Sequence, residues 1–523
     1  MSMVNFKKLI NFPYLILIIL ISFSINWKYA SYGVFPIDTF FHYDSAYRIL
    51  NGEYPIKDYW VVSGIFVDFL QAIFFKVINV SWHSYIFHSS ILNALFSVLT
   101  FYFLINVNLK KKFAFFYSIS FSILAYPVSG TPFVDLHAAF FCLLATYFSI
   151  LAIKKPKNYL NWFLVVSFYV FAFFSKIVPT AYFLILNSLV ISWYLLLNKE
   201  FKPFITIFLS LLFYVFIIFL FLNFINLELN SLYIQLIDYP LSIGSGRFDA
   251  FKISFETFVN NYKFILIPIL ILFYFKINNV FKNKIKFSSS NFISFLIFLN
   301  LCGSLILHQI LTKNQIFIHF LVPLSFGLLQ AEIEKINFKS IKKINCAILL
   351  LVIFVTIKYH IRYNENRKFH ELVNIDISEH TVSAPLDKSL KGILWISPTY
   401  KKNAESEIDM LKKIKFQLNK KKNIMLISNY SFLNSITSTN LNSPNRAYTY
   451  DGSTEPLPKN KYFNYYKNFI FQKLREKNIN EVYFIKEENF DYKIFTKFLT
   501  KDCYSKHEDN LFVFFKLDKK CIV

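Results

Sequence analysis

Residues 204–224 read FITIFLSLLFYVFIIFLFLNF, a run that is almost wholly apolar and carries no charge. As a helix rising 1.5 Å per residue it reaches about 31 Å, and the hydrocarbon core of a bilayer is about 30 Å thick. YLILIILISF at 14–23 and FILIPILILFYF at 264–275 have the same texture. Such runs recur too often for a signal peptide ahead of a soluble enzyme. The chain has 523 residues, 55% of them hydrophobic and 20% aromatic, and the apolar excess lies before residue 360. This predicts an α-helical polytopic membrane domain over 1–359 and a small soluble α/β domain over 360–523.

Working outward from 204–224, about eleven spans are expected. They lie near 12–30, 85–107, 113–130, 136–153, 159–175, 178–197, 204–225, 262–278, 289–308, 316–331 and 344–359. The net charge of +24 is not a nucleic-acid footprint, because the lysines sort by loop. Lys7 and Lys8, Lys110–Lys112, Lys154, Lys155 and Lys157, Lys199 and Lys202, Lys276–Lys286 and Lys335–Lys343 all fall on one side. Positively charged loops stay in the cytoplasm. The N-terminus is therefore expected inside and the C-terminal domain outside, in a multi-pass protein of the inner (plasma) membrane. Of the carboxylates before residue 360, only Glu200, Glu332 and Glu334 fall on the cytoplasmic side. Topology does not require that bias, whereas an outward-facing polar site would.

Two outer loops are long. The first contains FPIDTFFHYDSAYRILNGEYPIKDYWVVSG at 35–64, followed by GIFVDFLQAIFFKVIN at 64–79. The second stretch reads as an interfacial helix, with Asp68, Gln71, Lys76 and Asn79 on one face and Ile65, Phe66, Phe69 and Phe74 covering much of the rest. The second loop carries DYPLSIGSGRFDAF at 238–251. His88 and Asn93 on the second span suit internal helix–helix hydrogen bonding.

Beyond residue 360, GILWISP, NIMLISN, EVYFIKE and LFVFFKL read as strands, and AESEIDMLKKIKFQL and YYKNFIFQKLREKN as amphipathic helices between them. That pattern predicts a small, mostly buried sheet. Cys142, Cys302 and Cys346 lie in apolar helices and are expected in the core, inert. Cys503 and Cys521 form the one pair in the tail, where an oxidising compartment permits a disulfide. There is no zinc-type spacing, P-loop or dinucleotide fingerprint.

The order of several stretches resembles the GT-C superfamily of integral-membrane glycosyltransferases, which includes protein O-mannosyltransferases and aminoarabinose transferases. They are the first loop, with its acidic residue after the first span, short helix and G-x-x-P-x-x-D turn; PFVDLHAAFF at 132–141; FAFFSKIVP at 171–179; and NQIFIHFLVPLSFGLLQA at 314–331. The resemblance covers roughly residues 10–335. It implies transfer of a sugar from a polyprenyl-phosphate carrier to a lipid, glycan or protein acceptor on the outer face. Many relatives have Asp-Glu at the first-loop acid, whereas this chain has Asp38 followed by Thr39.

Such a reaction needs a base for the acceptor hydroxyl, and a carboxylate can serve. It also needs positive charge for the departing phosphate, from Arg, Lys or a metal ion. By its place in the pattern Asp38 is the first choice for the base. Asp44 and Asp58 are alternates, or ligands for sugar or a divalent metal ion. Lys57 lies among them as a candidate substrate contact. Asp135 either faces the same cavity and substrate or is a helix N-terminal charge favoured by the dipole. The candidate phosphate contacts are Lys176, Arg247, Lys313, His308 and His319. No particular cofactor follows from these residues, and a divalent metal ion is the one candidate. The competing expectation is a transporter or flippase of lipid-linked sugars. That would place charges near the midplane and show repeated halves.

Overall fold

The computed structural model describes residues 12–32, 36–125, 130–249, 253–282, 286–312, 318–336, 340–366, 375–397, 403–449, 452–488, 492–518 and 520. The expected fold class holds: a polytopic helical region is followed by a small α/β region. The helices are α1 (Phe12–Ala30), α2 (Pro36–Leu50), α3 (Phe66–Val77), α4 (Trp82–Asn106), α5 (Lys111–Leu124), α6 (Val134–Lys154), α7 (Tyr159–Ser175), α8 (Ile177–Leu197), α9 (Phe201–Phe224), α10 (Phe255–Lys282), α11 (Ser290–Leu311), α12 (Leu321–Ile333) and α13 (Ile341–His360). Among the described residues, eight helices are long and apolar enough to cross a membrane: α1, α4, α6, α8, α9, α10, α11 and α13. The other three expected spans coincide with the shorter helices α5, α7 and α12.

Burial orders the bundle. The apolar window of α6 is 89% buried, and small Ala138, Ala139, Ala145 and Ala152 let its neighbours approach. The window of α9 is only 11% buried and presents Phe208, Phe216 and Phe219 outward. A soluble protein would bury so apolar a helix, whereas lipid solvates it at no cost.

The polar edge of α3 faces the other way from what amphipathicity suggests at a membrane surface. Asp68 and Gln71 are buried, while Ile73 and Val77 are 59% and 77% exposed. Lys76 and Asn79 remain on the outside as expected. Gly64, just before this helix, is required by a close approach, because a Cβ there would collide with the Phe174 carbonyl at the end of α7.

In the C-terminal region α14 (Ala404–Leu418) and α15 (Phe463–Glu476) flank a four-stranded sheet. Its strands are β3 (Ile424–Ile427), β4 (Glu481–Ile485), β5 (Tyr504–Glu508) and β6 (Phe512–Leu517), in the order β3-β4-β6-β5. Strands β3 and β4 run parallel, and the other pairs are antiparallel. Two expectations are corrected. GILWISP contributes only the two-residue β2 (Leu394–Trp395), paired with β1 (Thr381–Val382) outside the main sheet. The exposed edge strand β5, YSKHE, has no apolar alternation to announce it.

The period-two alternation of β3, β4 and β6 splits into two cores. Leu426, Tyr483, Ile485 and Phe512 pack with Leu411 and Ile414 of α14. Met425, Val482, Phe484 and Phe515 pack with Tyr466, Ile470 and Leu474 of α15. Neither core stops at the end of α13. The first is continued by Phe40, Tyr43 and Ala46 of α2, and the second by Trp60 and Tyr239 of the outer loops. The Trp60 N–H donates to the Pro444 carbonyl at 2.8 Å, and the Arg446 N–H to the Trp60 carbonyl at 3.0 Å. The C-terminal region therefore sits on the same end of the bundle as both long loops.

Cys142 and Cys302 are buried and free, as expected, but Cys346 is exposed on α13 rather than in the core. Cys503 is disulfide-bonded. Cys521, its expected partner, lies outside the described residues.

Candidate active site

Three candidate residues meet at one point. Asp135 lies in the first turn of α6, where the helix dipole favours a carboxylate. Lys176 occupies an extended break between α7 and α8, with φ −161° and ψ 127°, so its side chain leaves the helical stack. His308 lies in the last turn of α11. Lys176 Nζ donates to both Asp135 oxygens at 2.6 Å, and His308 Nε2 is 2.6 Å from Asp135 Oδ1. The Asp135 side chain is 3% exposed and that of Lys176 is 23% exposed.

A second polar group adjoins the first. Asp68 of α3 accepts from His42 Nδ1 at 2.5 Å and from Arg446 Nη1 at 2.6 Å. Arg446 also donates to the carbonyls of Ser63 and Gly64, both at 3.2 Å, and its guanidinium lies 4.0 Å from the centre of the Phe41 ring. Burial, outweighing the pull of Asp68, lowers the His42 pKa. Below them, Gln71 Oε1 stands 2.8 Å from His88 Nδ1, His88 Nε2 is 3.3 Å from His137 Nε2, and His137 Nδ1 is 2.8 Å from the Phe133 carbonyl. With Gln71 Oε1 as acceptor, His88 donates through Nδ1–H, and His137 Nδ1–H donates to the Phe133 carbonyl. His88 and Asn93 do make internal helix–helix bonds, the latter to the Ser22 and Ser122 carbonyls.

The remaining candidates go elsewhere. Asp38 stands half-buried in the first turn of α2. Asp44, one face away, accepts from Asn434 Nδ2 at 2.8 Å and lies 3.9 Å from Arg48. Burial raises its pKa to about 7 against the opposing pull of Arg48. Asp58 accepts from the Tyr54 N–H at 2.8 Å, closing the turn, and lies 3.5 Å from Lys473 of α15. Both carboxylates thus bind the C-terminal region. Lys57 donates to the Ile225 carbonyl at 2.8 Å, tying the first loop to the end of α9. His319 stacks on Tyr359 with ring centres 3.6 Å apart, and on Tyr363 at 5.3 Å. The Arg247 side chain and Lys313 lie outside the described residues. Among the described residues no group of three His, Cys, Asp or Glu is placed to hold a metal ion.

Sequence reasoning placed Asp68 and Gln71 on one face but missed His42, His137 and Arg446 as their partners. A lone His in an aromatic helix and a lone Arg in a tail loop give no spacing signal.

No family model and no curated protein matches this sequence. The structure is similar to that of ArnT from Cupriavidus metallidurans bound to undecaprenyl phosphate, with a TM-score of 0.42 and 10% identity over 97% of this chain and 98% of that one. It is also similar to the archaeal oligosaccharyltransferase AglB from Archaeoglobus fulgidus in complex with an inhibitory peptide and a dolichol-phosphate, with a TM-score of 0.43 and 11% identity over 94% of this chain and 71% of that one.

Proposed function

We propose that this chain is an integral-membrane glycosyltransferase that moves a sugar from a polyprenyl-phosphate carrier to a glycan, lipid or protein acceptor on the extracytoplasmic face. The observation that carries the reading is the meeting of Asp135, Lys176 and His308 from three separate helix ends, on the same end of the bundle as the first loop. A lipid-borne phosphate arrives at the edge of the bilayer, and its leaving oxygen develops charge as the sugar departs. An ammonium and an imidazole oriented by one carboxylate suit that charge, because their donors are aimed before the reaction begins. Asp135 is in this reading a positioning residue. It neutralises Lys176 at rest and yields it to the phosphate. Asp38, half-buried in the first turn of α2, is the proposed base by its place directly after the first span. The C-terminal region would then close over the site and present the acceptor.

A transporter would want charge near the midplane. Between Asp135 and Lys154 the central helix α6 carries no Asp, Glu, Lys or Arg, which favours the transferase.

The test is sugar transfer in membranes supplied with a polyprenyl-phosphate sugar, normalised to protein level. Asp38→Asn keeps shape and removes the basic oxygen. It is expected to lower transfer by roughly 10²–10⁴-fold. Near-normal transfer by Asp38→Asn and Lys176→Met together would remove the site.

A further inference from the structure

The opposite end of the bundle holds a cavity that the transferase reading does not use. Its volume is about 60 Å³, and Lys154, Lys276, Lys335, Glu332, Asn291 and Ser294 line it. Asp135 and Lys154 stand at the two ends of α6, about 28 Å apart along the helix, so this cavity is remote from the candidate active site.

The charges in it do not balance. Lys276 Nζ and Lys335 Nζ both reach Glu332 Oε1, at 2.7 and 2.6 Å. One carboxylate thus faces two ammonium groups, and Lys154 adds a third on the same wall. The Lys276 side chain is only 10% exposed. Cations held so close at the edge of hydrocarbon are expensive unless an anion or water answers them. Buried Lys276 of α10, half-buried Lys154 of α6 and the more exposed Lys335 after α12 line the cavity from three elements, with the Asn291 and Ser294 side chains of α11 beside them as polar partners for an oxyanion. The space admits a tetrahedral group. Leu270, Tyr274 and Phe281, exposed by 63%, 64% and 71%, lie on the face of α10 opposite Lys276 and put this helix at the lipid boundary.

We propose that this cavity binds a phosphate group, and that its source is the headgroup of an anionic phospholipid. Basic pockets between transmembrane helices take such headgroups. The site is independent of the transferase reading.

The test uses the full chain in neutral detergent, with native mass spectrometry in an equal mixture of phosphatidylglycerol and phosphatidylcholine of matched acyl chains. The wild type is expected to retain phosphatidylglycerol roughly 10- to 30-fold better. Lys154→Gln/Lys335→Gln should lose that preference, and Lys154→Arg/Lys335→Arg should keep it. Ser294→Leu, which fills the cavity without touching a charge, should also lose it, so the proposal stays testable if the Gln pair does not fold. Thermal stabilisation by inorganic phosphate, abolished in the Gln pair, would support the same site with the free ion as its occupant. Equal retention of both lipids by the wild type with no phosphate effect would overturn the proposal. So would an undiminished preference in the Gln pair and in Ser294→Leu.

Discussion

Arg446 of the C-terminal region and Asp68 of the first outer loop form an ion pair at 2.6 Å, with side chains 1% and 0% exposed. A charge pair this dry is held by partners rather than by water. Removing one member leaves the other buried and uncompensated, which costs about 3–5 kcal/mol. Arg446→Met is therefore expected to lower the midpoint of thermal unfolding in detergent and to expose residues of the tail to protease. The double variant Arg446→Met/Asp68→Asn should recover part of that loss. An unchanged midpoint in the single variant would show that the pair does not hold the tail down.

The Asp135–Lys176–His308 cluster makes a coupling prediction. Lys176→Met is expected to reduce kcat/KM for the carrier by roughly ten- to a hundredfold, the scale of a hydrogen bond to a charged group. Asp135→Asn removes the group that aims both donors and should also reduce it. The double variant should fall short of the product of the two losses, because both act on one contact. Strictly multiplicative effects in steady-state kinetics would separate the two residues.

Asp44 predicts a pH dependence of stability. Its folded pKa is raised to about 7, so the folded state holds this proton more tightly than the unfolded one. Its contribution is complete below the unfolded value near 4 and is lost as pH rises through about 7. Glu53 acts in the opposite direction. Although burial raises its pKa, the combined pull of Arg48 and Lys477 holds it at about 2, so its contribution is present above the usual glutamate value and lost as pH falls towards 2. From about pH 5 to about pH 8 the Asp44 effect, worth up to about 3 kcal/mol at 1.36 kcal/mol per unit, adds to that of Glu488, whose pKa burial raises to about 8. Asp44→Asn should flatten that decline in a series of unfolding midpoints. A decline of the same slope in the variant would assign it to another group.

Topology supplies the fourth prediction. Reporter tags after residue 110 or 282 should read as cytoplasmic, and a tag at 523 as outside. Peptide mapping without reductant should find Cys503 linked to Cys521. A cytoplasmic C-terminus would contradict the side assigned to the site, since the tail packs on the first loop.

How much of this was legible follows from what leaves a periodic trace. Long apolar runs such as 204–224 announce themselves by length, and β3, β4 and β6 as short apolar runs bounded by turn residues. The 3.6 period set Asp68 and Gln71 on one face of α3 but could not tell which way that face points, because direction depends on what packs against it. The same limit hid Cys346, whose apolar helix turns that side outward. Asp135, Lys176 and His308 could be named singly, each as a polar group beside hydrocarbon. Their meeting could not be read, because it depends on where three helix ends come together. The ties of Asp44 and Asp58 to the tail were invisible for a related reason: Asn434 and Lys473 are ordinary residues in an ordinary polar stretch.

Asp68 and Arg446 are 378 residues apart in the chain. A ribosome adding about 5–20 residues per second needs roughly 20–75 s to bridge that gap. Throughout that interval the first loop has been delivered without the partner of its buried carboxylate, and the aromatic face of α2 lacks its cover. The newborn loop must either remain sheltered by the insertion machinery or sit in a provisional arrangement at the bilayer surface. Final closure of this end of the molecule is thus a late, post-insertion event, and a truncation anywhere before residue 446 would leave an acidic, aromatic flap with nothing to close it.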